Sequence, residues 1–202
     1  MNIQKIEVIH GRAMPKPAPA QNTDAITPPQ FLKTITFRGM EKALYFNERF
    51  NEGQPVEGHP LNNPRYDGAI ILLAGRDYGC GSSRQHSPEA LKRYGFQAIV
   101  APSFHEIFRA NSKQIGLVTV TLNEDELLQM VEDSERNPIT YVNIDLRNKK
   151  ITSSAGRDYA CDLPEGMRKS FLDGSWYILP FLVQGAGEVE KTLARTHRLE
   201  FR

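Results

Sequence analysis

Residues 68–101 read GAIILLAGRDYGCGSSRQHSPEALKRYGFQAIVA, and this stretch decides the fold class. Gly68 to Ala74 is an apolar run rich in isoleucine and leucine, too short for a lone helix and suited to a strand buried on both faces. Gly75 to Ser83 is a turn-rich loop, and Ser87-Pro88-Glu89 opens a helix with proline near its first position. Phe96 to Ala101 is a second apolar run. Downstream, Ser103 to Ser112 is helix-like, and Leu117 to Leu122 alternates Val118, Val120 and Leu122 as a third strand. Strand, helix, strand, helix, strand predicts an α/β fold whose parallel or mixed central sheet carries flanking crossover helices.

Working outward, Ile3 to Ile9 is expected to be a short strand. Pro15, Pro17, Pro19, Pro28 and Pro29 then break regular structure into an extended, loop-rich segment. Glu41 to Phe50 reads as a helix with Ala43, Leu44, Phe46 and Phe50 on one side, and Asn51 to Asp67 as a surface connection. Past the third strand, Asn123 is placed to cap an acidic helix over Glu124 to Asp133. Tyr141 to Leu146, Ile151 to Ser154 and Arg157 to Leu163 read as short strands, Pro164 to Leu172 as a helix, and Gly185 to Arg198 as a polar C-terminal helix.

A chain of 202 residues fits one domain spanning 1–202. With 25 Lys and Arg against 24 Asp and Glu, the net charge of +1 gives no field for nucleic acid or an anionic membrane. The apolar runs at Ala69 to Ala74 and Trp176 to Val183 fall far short of the roughly 20 residues a membrane helix needs. The N-terminus, interrupted by Lys5 and Glu7, lacks the apolar core of a secretory signal. A reduced, cytoplasmic location fits the two cysteines, Cys80 and Cys161, which also exclude any site built on three thiolates from this chain.

The chemistry-bearing segment is Asp77-Tyr78-Gly79-Cys80-Gly81-Ser82-Ser83-Arg84-Gln85-His86. It lies between a strand and a helix, where open α/β sheets place their ligand sites. Gly79 and Gly81 allow tight backbone turns, and free amides at the helix start offer donors to an anion. Ser82 and Ser83 add hydroxyls, and Arg84 adds a charged fork suited to a carboxylate or phosphate. No lysine stands where a Walker loop needs one, and Arg84 occupies the third glycine position of the dinucleotide pattern. The composition therefore reads as a carboxylate cradle, with a glycine-rich turn capping a helix as the plainer alternative. His105 beside Glu106 has no third ligand at a recognised spacing and reads as surface, while Trp176 and Phe181 read as core or interface.

The same segment, with Tyr94-Gly95-Phe96, Ala101-Pro102-Ser103-Phe104, Asn111-Ser112 and the motif Thr23-Asp24-Ala25-Ile26, closely resembles the small-subunit family of 3-isopropylmalate dehydratase. Leu163-Pro164-Glu165-Gly166 and Leu172-Asp173-Gly174 resemble its C-terminal part. The likeness runs from about residue 20 to 185, leaving 1–20 and 186–202 as weakly matched extensions. It implies the swivelling β/β/α domain of the aconitase superfamily, which forms half of a hydro-lyase site. By that resemblance Ser82 is the base that removes a proton beside a carboxylate. Asp24 orients catalytic groups supplied by the partner, Ser83 and Arg84 hold substrate carboxylate, and Arg38 is a further substrate-binding arginine. Gly79, Cys80, Gly81 and His86 support the loop. The resemblance also implies a partner large subunit holding a 4Fe-4S cluster, since such clusters need three cysteine ligands, and a small hydroxy diacid as substrate. Two departures stand out. Asn22 replaces a family aspartate, and Gln85-His86-Ser87 replaces Glu-His-Ala. A related hydro-lyase acting on homoaconitate, citraconate or a dimethylmaleate-type acid, or a non-catalytic carboxylate-binding module, are the alternative readings.

Overall fold

The structure is a computed structural model that describes residues 4–33, 36–82 and 84–177. Its elements are β1 (Val8–Lys16), α1 (Thr23–Ile26), α2 (Phe46–Arg49), β2 (Phe50–Asn51), β3 (Gln54–Pro55), β4 (Ile71–Ala74), α3 (His86–Tyr94), β5 (Ala98–Ala101), α4 (Glu106–Gln114), β6 (Val118–Thr121), α5 (Glu124–Arg136), β7 (Tyr141–Asp145), β8 (Lys150–Ser153), β9 (Arg157–Ala160) and α6 (Glu165–Asp173). Seven strands form one mixed sheet in the order β6-β5-β4-β1-β7-β8-β9. The half from β1 to β6 is parallel, and the half from β7 to β9 is antiparallel. The sheet curls until its ends meet, because Thr121 at the close of β6 exchanges backbone hydrogen bonds with Asp162, just past β9, at 2.7 and 2.9 Å.

The two halves bury their strands differently. In β4, Ile71 and Leu73 face the core inside the curl, while Leu72 and Ala74 face a second core outside it. Both faces are covered, which accounts for the unbroken apolar runs of β4 and β5. Inside, Leu127, Met130 and Val131 of α5 and Met167 and Phe171 of α6 fill the curl. Outside, Ile26, Tyr45, Ala90, Leu91 and Phe108 cover the parallel strands. Strand β7 alternates instead, with Val142 and Ile144 buried and Tyr141 exposed. Asn123 caps α5 as the sequence predicts, its side chain accepting the amide of Asp125. No helix among the described residues is long and apolar enough to cross a membrane.

Two expectations are corrected. The first strand begins at Val8, not Ile3, and runs on to Lys16 through Pro15. It pairs with β7 only from Val8 to Arg12 and with β4 from Ala13 to Lys16. Beyond Arg12 the strand has a partner on one side alone, so the missing N–H of Pro15 is tolerated. The helix expected over Glu41 to Phe50 is broken in two, a single 3₁₀ turn at Met40–Ala43 followed by α2. Between them Tyr45, fully buried, adopts a left-handed φ of 49°. The expected helix at Gly185 to Arg198 and Phe181 lie outside the described residues.

One buried histidine makes acid stability testable. His59 Nδ1 accepts the Leu61 amide at 3.2 Å, and burial, reinforced by the nearby Lys16 charge, pushes the imidazole down to about 4. The unfolded chain takes up this proton near pH 6.5, so it binds protons that the native state refuses until near pH 4. Stability therefore falls as pH drops through that window, by up to about 3 kcal/mol from this group. Urea unfolding at pH 7 and pH 4.5 should show the loss, and His59→Gln should flatten the dependence.

Candidate active site

The loop from Gly75 to Arg84 leaves the C-terminal end of β4 and is clamped from both sides. On one side Asp77 donates its amide to Ser103 Oγ at 2.7 Å, and Ser103 Oγ donates to Asp77 Oδ1 at 2.7 Å. Tyr78 donates to Ser103 O at 3.1 Å, and His105 donates to Tyr78 O at 2.9 Å. On the other side Gly79 donates to Gln21 O and Thr23 donates to Cys80 O, both at 2.8 Å. A strand-like bridge thus forms between Asn22 and Cys80. The turn demands glycine at residue 79: φ is +78°, and a Cβ there would lie 2.2 Å from the ring of Phe108.

This clamp brings together residues nearly sixty positions apart. Thr23 Oγ1 donates to Ser82 O at 3.0 Å and lies 3.4 Å from Ser82 Oγ. Arg84 Nη1 donates to Asp24 Oδ1 at 2.8 Å. Ser87 Oγ, buried at the start of α3, donates to Thr23 O at 3.0 Å, fixing α1 against α3. Asn22 caps α1 by accepting the Ala25 amide at 2.8 Å, so its amide oxygen does local work. Ser82 and Asp24 are exposed, and Arg84 is half-buried. They form an open rim. A hydroxyl, a carboxylate and a guanidinium at one edge can bind an acidic ligand and exchange a proton with it.

The other expected residues fall around this rim. Cys80 is partly exposed and its thiol donates to Ala20 O at 3.4 Å, a backbone contact within the clamp. Gly81 adopts φ +96° facing Thr23. His86 opens α3 and packs edge-on against Phe37, with ring centroids 5.2 Å apart. Burial, with the Arg84 charge adding, lowers its pKa and so favours the neutral ring. Arg38 is exposed and follows Phe37, so the Phe37 contact carries its turn to the start of α3. Ser83 lies outside the described residues. The sequence reading missed Thr23 and Ser103, whose hydroxyls clamp the loop. The adjacent Asn22 cap and Asp77 were the available signals, since short polar side chains beside a strained turn commonly bond its backbone.

Two surface concavities lie away from this rim. One of about 520 Å³ is lined by Pro55 to Gly58 and Asn62 to Pro64, and another of about 380 Å³ lies between α4 and α6. Among the described residues no three His, Cys, Asp or Glu side chains gather as metal ligands. The donor chemistry does not suit an iron–sulfur cluster either. The chain has two cysteines, and burial pushes the Cys161 thiol up to about 11, which keeps it protonated.

The family model of the aconitase C-terminal domain matches residues 3–125, which contain the whole clamp. The small subunit of 3-isopropylmalate dehydratase from Thermus thermophilus is 41% identical over 187 residues, covering 93% of this chain and 92% of the relative. The chain belongs to the 3-isopropylmalate dehydratase small-subunit family. The Roseiflexus castenholzii member of this family is 44% identical over 153 residues, 75% of each chain. A crystal structure of 3-isopropylmalate dehydratase from Methanocaldococcus jannaschii superposes with a TM-score of 0.66 at 25% identity, covering 92% of this chain and 99% of that one. The curled mixed sheet is thus the family's fold, and the loop from Gly75 to Arg84 lies inside the segment that the family model matches.

Proposed function

We propose that this chain is the small subunit of a 3-isopropylmalate dehydratase, acting with a large subunit to interconvert 2-isopropylmalate and 3-isopropylmalate by dehydration and rehydration in leucine biosynthesis. The observation that carries the reading is the clamp joining Asn22–Asp24 to Cys80–Arg84, which sets Asp24, Ser82 and Arg84 on one rim. Membership of the small-subunit family and the names of its curated relatives supply the substrate.

In this reading Ser82 takes the proton from the carbon beside a substrate carboxylate. A serine hydroxyl is a very weak acid, so its alkoxide needs fixed positive charge and exclusion of water. Arg84 brings that charge to the same rim. Asp24 holds the guanidinium by one nitrogen, leaving the rest of its fork free for substrate. Ser83 and Arg38 complete the carboxylate contacts. Because Ser82 is exposed here, the water-excluding wall must come from the partner. The iron–sulfur cluster that the family resemblance implies finds no ligand set in this chain, so the large subunit would hold it.

The test is co-purification with a cognate large subunit, followed by turnover of isopropylmalate beside homoaconitate, citraconate and dimethylmaleate-type acids. Isopropylmalate should be the best substrate. Preference for another diacid reassigns the enzyme within the superfamily, and failure to pair with any large subunit favours a carboxylate-binding module.

A further inference from the structure

Lys16 closes β1 and is buried, with its side chain 9% exposed. A buried ammonium is costly unless each of its three donors is met. Here Nζ donates to Glu48 Oε2 at 2.8 Å and to Gln21 Oε1 at 3.0 Å, and it sits 4.3 Å from the centroid of the Tyr45 ring. Each of the three contacts belongs to a segment that leads to the rim. Glu48 lies on α2, at the far end of the segment that begins with Phe37 and Arg38. Tyr45 precedes α2, takes the left-handed φ of 49°, and shares a 2.6 Å hydrogen bond between its hydroxyl and that of Tyr78. Its amide donates to Ile26 O at 2.8 Å, two residues beyond Asp24. Gln21 accepts the amide of Gly79 through its own carbonyl at 2.8 Å.

We infer that Lys16 is a positioning residue of the reaction, fixing the Arg38-bearing segment against the loop that carries Ser82 and Arg84. It touches none of the proposed reacting groups. It joins, through one charge, the segment holding Arg38, the segment holding Asp24 and the strand end from which both are reached. The end of β1 and the excursion through Arg38 share no strand ladder that sets their spacing, and substrate contacts lose effect when displaced by an ångström or so. The buried charge supplies that spacing, in a site where neutral packing would allow the excursion to slide.

The inference rests on the proposed function, and the test separates the two. The assembled two-subunit enzyme is prepared with Lys16→Met, which keeps the aliphatic stem, and with Glu48→Gln, which keeps the shape and removes the charge. Ser82→Ala serves as the control. Lys16→Met should raise the KM for 3-isopropylmalate roughly tenfold with kcat within about twofold, and Glu48→Gln should raise it roughly threefold. A role in folding alone lowers the amount of active complex and the apparent kcat, but leaves the KM of the surviving complex unchanged. Unchanged KM in both variants, with Ser82→Ala inactive, overturns the assignment of Lys16. Turnover by Ser82→Ala removes the serine from its role as base, and a parent complex that fails to turn over 3-isopropylmalate overturns the proposed function instead. If Lys16→Met does not assemble, the KM of Glu48→Gln decides.

Discussion

Ser82→Ala should reduce turnover of the assembled enzyme by about a thousandfold or more, while unfolding midpoint and recovery of the complex stay as in the parent. The separation of the two effects follows from the geometry. Ser82 is exposed, and the Thr23 hydroxyl that clamps this part of the loop donates to the Ser82 carbonyl, which alanine retains. The Oγ itself makes only a 3.4 Å approach to Thr23 Oγ1, too long to matter for stability. A change in stability beyond about 0.5 kcal/mol is therefore not expected. Steady-state rates with 2-isopropylmalate, beside urea melts of the isolated subunit, measure both. Substantial residual turnover would remove Ser82 from the role of base.

Gly79→Ala has the opposite signature. It should destabilise the subunit by about 2–4 kcal/mol and weaken assembly, because strain and overlap act together. A side chain at φ +78° is strained, and its Cβ would lie 2.2 Å from Phe108 Cγ. That ring is buried and packs edge-on against Tyr78 at 5.3 Å, so it has nowhere to go. Gly39 supplies the control. Its φ of +82° is similar, but a Cβ there meets nothing within 4 Å, so Gly39→Ala should cost only the strain, about 1 kcal/mol. Chemical denaturation of both variants checks the difference, and equal costs would mean that the Phe108 contact yields.

The parallel half of the fold was legible because its strands are buried on both faces and so are written as plain apolar runs. The loop at Asp77 to His86 was legible because its function requires glycines, hydroxyls and an arginine in close order. Strand β1 was not legible past Ile9. Proline reads as a breaker, and Pro15 is admissible because the pairing with β7 stops at Arg12, opposite Tyr141, a fact held in residues 141 to 145. The break at Tyr45 was hidden for a different reason. The apolar spacing of Ala43, Leu44 and Phe46 suits a helix, and it is contacts from distant segments, the Tyr78 hydroxyl and the Lys16 ammonium among them, that hold the aromatic ring in its left-handed turn. The presence of Asp24 and Arg84 in one site came from resemblance to the family, and their ion pair came only from the structure, since spacing along the chain cannot bring residues so distant together. Lys16 went unnoticed because lysine is ordinarily a solvated residue, and its burial depends on partners from two other segments.

Strand β1 pairs first with the end of β7, Val8 opposite Asp145, and then with β4. Its first half, Val8 to Arg12, therefore waits during synthesis for residues 141–145 before it finds its antiparallel partner. During synthesis the parallel strands β4 to β6 can condense from local crossovers, whereas the seam at β1 closes only when the antiparallel strands have emerged. The second half of β1, Ala13 to Lys16, pairs with β4 instead, so the segment that continues to Asp24 is anchored once Ile71 to Ala74 are made. The serine loop and the segment of Asp24 thus take shape together, each supplying the other's backbone partners, before the antiparallel seam has closed.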